Sequence, residues 1–422
     1  MICEHAVLVA EPPQTTLRGF GIVRRWRDPV QEFLATESSG AVALAAAAAV
    51  AILWATLATH SYETFWAHHL TVHLGGSLWH LTLEDLAQEG LMSVFFFVVG
   101  LEIKREITVG ELSVRRVAVL PVIAALGGMV VPAAIFVALA HGSAGVNGWG
   151  IPMATDIAFA VGVLQLLGAR VPSQLTVFML AVAVVDDIGA IIVIAVWYTS
   201  GLRLLWIVAG VVCIGLMWLL LRGGVRVVLI YVVLGVGSCV LVAASGVSPT
   251  LAAVSVGLLM PMSAWRGPRA QDPDAEATTA VEHLEHLVHP WSALVVLPLF
   301  ALASAGIPLT VAAVHHAATD RTALGVVVGL VVGKPVGVFG ATWVAVALGV
   351  GALPRGLRWV HLAGGAALAG IGFTVAIFIA GLAFSDPVME DSARTGILAG
   401  SLIAALLGVA VLLWAGRRAV HT

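Results

Sequence analysis

Apolar residues run in blocks of about 20, almost without interruption, from Ser39 to Trp414. A helix of that length covers the roughly 30 Å of hydrocarbon in a bilayer. The pattern predicts about twelve spans, near 39–59, 86–103, 117–140, 149–167, 174–199, 204–221, 226–244, 247–263, 289–306, 322–349, 359–384 and 394–416. A transmembrane barrel would instead need short strands that alternate apolar and polar faces, whereas Leu204 to Leu221 is apolar all round. The expected class is therefore an all-α polytopic membrane protein.

Two stretches between spans carry a different pattern. From Leu70 to Leu83, Leu70, Val72 and Leu74 alternate with polar residues, Gly75-Gly76 follows, and Trp79, Leu81 and Leu83 alternate again. A Gly-Gly pair between alternating runs signals a β-hairpin, whose edge could pair with a second copy in a twofold homodimer. The stretch 265–285 is rich in Asp, Glu and His and reads as a polar linker that becomes the start of a helix. Residues 1–36 hold Arg18, Arg24, Arg25 and Arg27 but no apolar core with a cleavage site, so they read as a flexible extension that precedes a single transporter domain over 37–418.

Basic residues orient the spans. With twelve spans and the amino terminus inside, the outer segments hold only Arg203, Arg321 and Arg394, and Lys334 falls within a span; every other one of the 21 Lys and Arg residues is cytoplasmic. Both termini are then expected on the cytoplasmic side. Only 11% of residues are charged and 60% are hydrophobic, which excludes an ordinary water-soluble domain. The scattered basic clusters form no nucleic-acid footprint. Cys3, Cys213 and Cys239 have neither metal-ligand spacing nor an even count and read as packing residues.

The informative residues are the charges inside spans. A carboxylate at mid-bilayer costs at least about 2.5 kcal/mol on insertion scales, so such groups mark ion or proton pathways. Asp156 falls in the fourth span, Asp186 and Asp187 in the fifth, and Lys334 in the tenth. Neighbouring helical residues point about 100° apart, so Asp186 and Asp187 can share one cavity and trade protons for a cation near neutral pH. If these charges served only to hold helices together, two acids against one base would leave a carboxylate uncompensated. For Asp156 taken alone, a structural role and direct ion ligation both remain open.

Backbone irregularity adds to this. Gly150 and Pro152 precede Ala154-Thr155-Asp156 in the fourth span, and Gly364, Gly365, Gly370 and Gly372 precede Thr374 in the eleventh. Either set alone also suits close helix packing. Spans three to five and ten to twelve, however, form two triplets of opposite orientation, each with its interrupted helix in the middle. Inverted repeats with discontinuous helices crossing at mid-membrane point to a binding site there.

These residues carry a resemblance. Ala154-Thr155-Asp156-Ile157-Ala158-Phe159-Ala160, Asp186-Asp187-Ile188-Gly189-Ala190, Phe95-Phe96-Phe97-Val98-Val99-Gly100-Leu101-Glu102-Ile103-Lys104-Arg105-Glu106, Leu284-Glu285-His286 with His289-Pro290-Trp291, Gly333-Lys334-Pro335 and Gly370-Ile371-Gly372-Phe373-Thr374 together resemble the NhaA family of bacterial sodium/proton antiporters, in order, over nearly everything after residue 36. The resemblance implies export of Na+ or Li+ in exchange for H+ across the bacterial inner membrane, with no cofactor and no enzymatic reaction. It implies Asp187 as the principal cation ligand and Asp186 as its proton-linked neighbour paired with Lys334. Thr155 and Asp156 would stand at the helix crossing, where Asp156 offsets positive helix ends and Lys334 negative ones. Glu102, Glu285, His286 and His289 would form a cytoplasmic mouth that responds to pH. The same resemblance, with the two-carboxylate site, implies electrogenic exchange of two protons per sodium.

The chain departs from the family at Ser248-Pro249, where His-Ala is usual, so one neutral-range titrating group is missing. Glu89-Gly90 stands where Asp-Gly is frequent. His283, His286 and His289 could suggest metal binding, but three histidines without a fourth ligand better suit a solvated helix start. Two other classes compete. An intramembrane aspartyl protease takes its acids from two helices, and a cation channel favours a ring of acids around a pore; adjacent aspartates with an internal lysine suit neither.

Overall fold

The computed structural model describes residues 27–74, 77–199, 201–225, 227–262, 279–308, 310, 315 and 317–419. Residues 1–26 of the expected extension and residues 265–278 of the expected linker lie outside them, as does Cys3.

In chain order the elements are α1 Arg27–Leu57, a short α2 Thr59–Trp66, strands β1 His69–Leu74 and β2 Ser77–Thr82, α3 Leu83–Thr108, α4 Arg115–Ala140, α5 Ile157–Leu167, α6 Ser173–Trp197, α7 Leu204–Arg222, α8 Val228–Ala244, α9 Pro249–Leu259, α10 Ala280–Ser304, α11 Arg321–Ala347, α12 Trp359–Leu368, α13 Phe373–Ala383 and α14 Pro387–Ala419. Among the described residues eight helices are long and apolar enough to cross a membrane. Two pairs count as one broken span each: the 3₁₀ segment Ala144–Met153 with α5, bent by 43°, and α12 with α13, bent by 44°. The shorter apolar helices α8 and α9 occupy the remaining two predicted positions. The chain is an all-α polytopic membrane protein, and the one sheet among the described residues is the antiparallel pair β1–β2, in register from His69 against Thr82 to Leu74 against Ser77.

Several helices begin earlier than their apolar cores. Hydropathy misses a polar first turn, but local capping holds it. Thr82 accepts from the Asp85 amide at 3.0 Å while Asp85 accepts from the Thr82 amide at 2.9 Å, and Thr279 and Glu282 make the same reciprocal box at the start of α10. α9 is shorter than its apolar run because Pro249 fixes its first turn and Pro261 follows its end.

α7 shows what faces lipid. Leu204 and Leu205 are 73% and 79% exposed, a surface that only hydrocarbon would solvate well. The two triplets form the packed centre, with α4 lying along α11 and α14 against both α11 and α12. Close approach there depends on small residues. A Cβ added to Gly128 of α4 would fall 2.7 Å from Val338 Cγ2 and within 3.9 Å of Lys334 Nζ, so glycine leaves the passage that Lys334 occupies.

Candidate functional site

The breaks in the two interrupted spans meet. Residues 154–156 and 369–372 are non-helical and pass one another, with the Asp156 amide donating to the Ile371 carbonyl at 2.6 Å. Each break leaves two half-helix ends, and each end has orphan amides or carbonyls that water cannot reach at this depth.

One carboxylate satisfies amides of both half-helix N-termini. Asp156 accepts from the Phe159 amide of α5 at 3.0 Å through Oδ1. Through Oδ2 it accepts from the Thr374 amide of α13 at 3.0 Å and from the Thr374 hydroxyl at 2.6 Å. A negative charge between two positive helix ends is favoured by both dipoles. On the carbonyl side, Thr155 donates its hydroxyl to Ala369 at 3.0 Å, and the Lys334 ammonium donates to the Met153 carbonyl at the end of the 3₁₀ segment. Phe159 and Phe373 meet edge to face at 5.8 Å across the crossing.

The acidic pair stands beside this frame on α6. Asp186 and Asp187 are each 2% exposed and Lys334 is 1% exposed. Lys334 donates to Asp186 Oδ2 at 2.6 Å. A π-helical turn over Gly329–Gly333 immediately precedes Lys334, a local irregularity of the kind often found at functional positions. The other oxygen of the pair's first member, Asp186 Oδ1, and Oδ2 of Asp187 are buried with no hydrogen-bond partner among the described residues. Those are hard carboxyl oxygens without a donor, which is what an alkali cation or a proton would take.

The structure thus brings together Thr155, Asp156, Asp186, Asp187 and Lys334. It puts the remaining candidates elsewhere, where the last turns of α3 meet the first turns of α10. Arg105 forms an ion pair with Glu285, and His289 Nε2 lies 3.9 Å from Glu102 Oε1. Glu285 and His289 are buried, while His283 and His286 are exposed on other faces of the helix. The three histidines therefore do not converge, and no group of three metal-type ligands occurs among the described residues.

Sequence reasoning left three participants outside its site set. Thr374 was legible as the polar residue that ends the glycine-rich break, but its role needs Asp156 beside it. Ser401 of α14 accepts from the Gly372 and Phe373 amides at 3.2 and 3.3 Å, and nothing in its surrounding apolar run marks it. Tyr198, just past α6, accepts from the Gly150 amide at 3.1 Å and donates to the Asn147 carbonyl at 2.8 Å, anchoring the 3₁₀ segment.

Comparison with known proteins bears on this geometry. The family model described as Na+/H+ antiporter 1 matches residues 31–412. A protein of Rhodopirellula baltica named Na(+)/H(+) antiporter NhaA is 41% identical, with 93% of this chain and 95% of the relative aligned. Na(+)/H(+) antiporter NhaA 1 of Saccharopolyspora erythraea is 44% identical over 92% of each chain. Na(+)/H(+) antiporter NhaA of Nocardia farcinica is 43% identical over 94% of this chain and 93% of its own.

Proposed function

Since the chain belongs to the Na+/H+ antiporter 1 family, we propose that it exports sodium, or lithium, by letting the cation and protons compete for Asp187 and Asp186. It is a multi-pass sodium/proton antiporter and not an enzyme. An aspartyl protease or a channel is not favoured, because the acids are adjacent on one helix and one of them is held by a lysine.

The observation that carries the assignment of roles is the contrast within the pair. Asp186 is engaged by Lys334, whereas Asp187 Oδ2 has no hydrogen-bond partner among the described residues. Asp187 is the entry ligand for the cation, and the free Oδ1 of Asp186 lies on the neighbouring residue. Sodium binding displaces the protons that otherwise neutralise these groups. If two leave per sodium, each cycle carries one net positive charge inward. One charge crossing about 100 mV supplies about 2.3 kcal/mol, enough for a roughly 40-fold sodium gradient without any pH difference. If Lys334 carries the second proton in place of Asp186, the charge moved is unchanged. In right-side-out proteoliposomes without a pH gradient, a negative interior should drive sodium efflux; efflux indifferent to that potential would remove the second proton from the mechanism.

The same reading sets both termini on the cytoplasmic side of the bacterial inner membrane, as loop charge supports. Arg105–Glu285 and Glu102–His289 would then line the cytoplasmic mouth and tune activity with pH. The β1–β2 hairpin offers its edges to a second copy in a twofold homodimer. Deleting residues 70–83 should give monomers in mild detergent, and a dimer unchanged by the deletion would rule that role out.

A further inference from the structure

α3 carries Glu84 in its first turn and Arg105 in its last, so the two residues mark opposite ends of one span. At the Glu84 end lies a second charged cluster that the exchange site does not use. Arg394 of α14 donates to Glu84 Oε1 at 3.1 Å and also forms an ion pair with Glu390, one turn away on its own helix. Gln88 donates to the same Glu84 oxygen at 3.0 Å. Arg394 is only 8% exposed, and its Nε is buried with no acceptor among the described residues.

A third element closes on the cluster. A Cβ added to Gly381, in the last turns of α13, would lie 2.9 Å from Gln88 Oε1 and 3.3 Å from Glu390 Oε1. α13 and α14 belong to the second triplet, and α3 belongs to neither. The Glu84–Arg394 contact therefore joins the body that carries the broken helices to the body that flanks it. As a simple staple it is costly, since a buried guanidinium loses its hydration and here leaves one N–H unmet. As a contact that must break and reform, incomplete satisfaction is an advantage. Transporters built on inverted repeats rock one body against the other around a fixed midplane site. A contact between the bodies at one end is possible only while that end is shut.

We infer that Glu84, Arg394 and Glu390 form an ionic latch that holds the Glu84 end of the bundle closed and opens once in every transport cycle. This rests on the exchange reading, which requires the two ends to open in turn. Glu390 belongs to the same helix as Arg394 and keeps the guanidinium in place when the latch is open; Glu84 is the part that departs. Removing Glu84 should therefore shift the conformational balance, and removing Glu390 should not.

The test uses the full chain in nanodiscs, with Cys3, Cys213 and Cys239 replaced by Ala and a single reporter, Ala393→Cys. Ala393 is fully buried and precedes Arg394. Adding Glu84→Gln should speed its reaction with a water-soluble maleimide about tenfold, the size of a change of one decade in the open population. Glu390→Gln should alter the rate less than about twofold, and exchanging the charges with Glu84→Arg plus Arg394→Glu should restore slow labelling. Equal rates in the parent and in Glu84→Gln would overturn the latch, as would equal acceleration by Glu390→Gln. Labelling does not depend on exchange: acceleration by Glu84→Gln when the parent moves no sodium keeps the closing contact and removes the exchange reading, while unchanged labelling with an active parent removes the latch alone. As an independent measure, joining Glu84→Cys to Arg394→Cys with a reducible bifunctional thiol reagent should stop sodium efflux in proteoliposomes, and reduction should restore it. Full efflux through the bridged protein would also overturn the latch.

Discussion

Asp156 and Asp187 are buried to nearly the same degree, 1% and 2% exposed, yet their surroundings are opposite. Asp156 accepts from two amides and a hydroxyl at the ends of two half-helices, whereas Asp187 Oδ2 has no hydrogen-bond partner among the described residues. A satisfied buried carboxylate is part of the scaffold, since every partner loses if it changes state. An unsatisfied one is a standing cost that the fold tolerates because a ligand completes it. Burial alone, or the presence of an intramembrane acid alone, does not separate the two roles; the donors around each oxygen do.

That distinction predicts opposite outcomes for two similar substitutions. Asp187→Asn should abolish sodium-dependent proton movement in everted vesicles while thermal stability in detergent stays equal or rises, because no hydrogen bond is lost at Oδ2 and a buried group that can ionise is replaced by one that stays neutral. Sodium exchange at the normal rate would sink the assignment. Asp156→Ala should act first on stability. It strands the Phe159 amide, the Thr374 amide and the Thr374 hydroxyl, each at about 1–3 kcal/mol, so the unfolding temperature should drop well below that of Asp187→Asn. If the two variants proved equally stable, the division between scaffold and working carboxylate would fail.

How far the sequence reveals this depends on the range of the interaction. The spans were legible because bilayer thickness imposes a length on every apolar block, and the breaks were legible because Gly150, Pro152, Gly370 and Gly372 interrupt helical runs locally. Asp186, Asp187 and Lys334 stood out because charge at that depth is expensive. What could not be read is which oxygen lacks a donor. That depends on Thr374 reaching Asp156 from 218 residues away, and on Lys334 reaching both Asp186 and the Met153 carbonyl. Ser401 was hidden for the same reason, since a serine in an apolar run has many bland explanations. The Glu84–Arg394 contact spans 310 residues and gave no local signal either, beyond an arginine in a segment that otherwise crosses the membrane.

The smallest effect concerns a buried polar pair that is satisfied but does not titrate. Ser248 directly precedes α9 without a capping hydrogen bond and is 9% exposed, and its hydroxyl shares a hydrogen bond of 2.7 Å with that of Thr250, itself 1% exposed. Like Asp156, this site is complete, and its two hydroxyls carry no charge between pH 5 and 8. A histidine there would add a group with an ordinary pKa of about 6.5. It would carry a positive charge on the acid side and none on the alkaline side, so it would oppose cation occupancy only at low pH. Ser248→His should therefore steepen the rise of activity with pH, or move it toward alkaline values by a fraction of a unit, and leave the alkaline plateau unchanged. Thr250 can still bond to an imidazole nitrogen, but the larger ring must be fitted beside Pro249, which typically costs about 1–3 kcal/mol. Thermal stability measured on the same preparation separates that packing cost from titration, because overpacking lowers activity at every pH. A pH profile superimposable on that of the parent would show that charge at this position does not reach the exchange site.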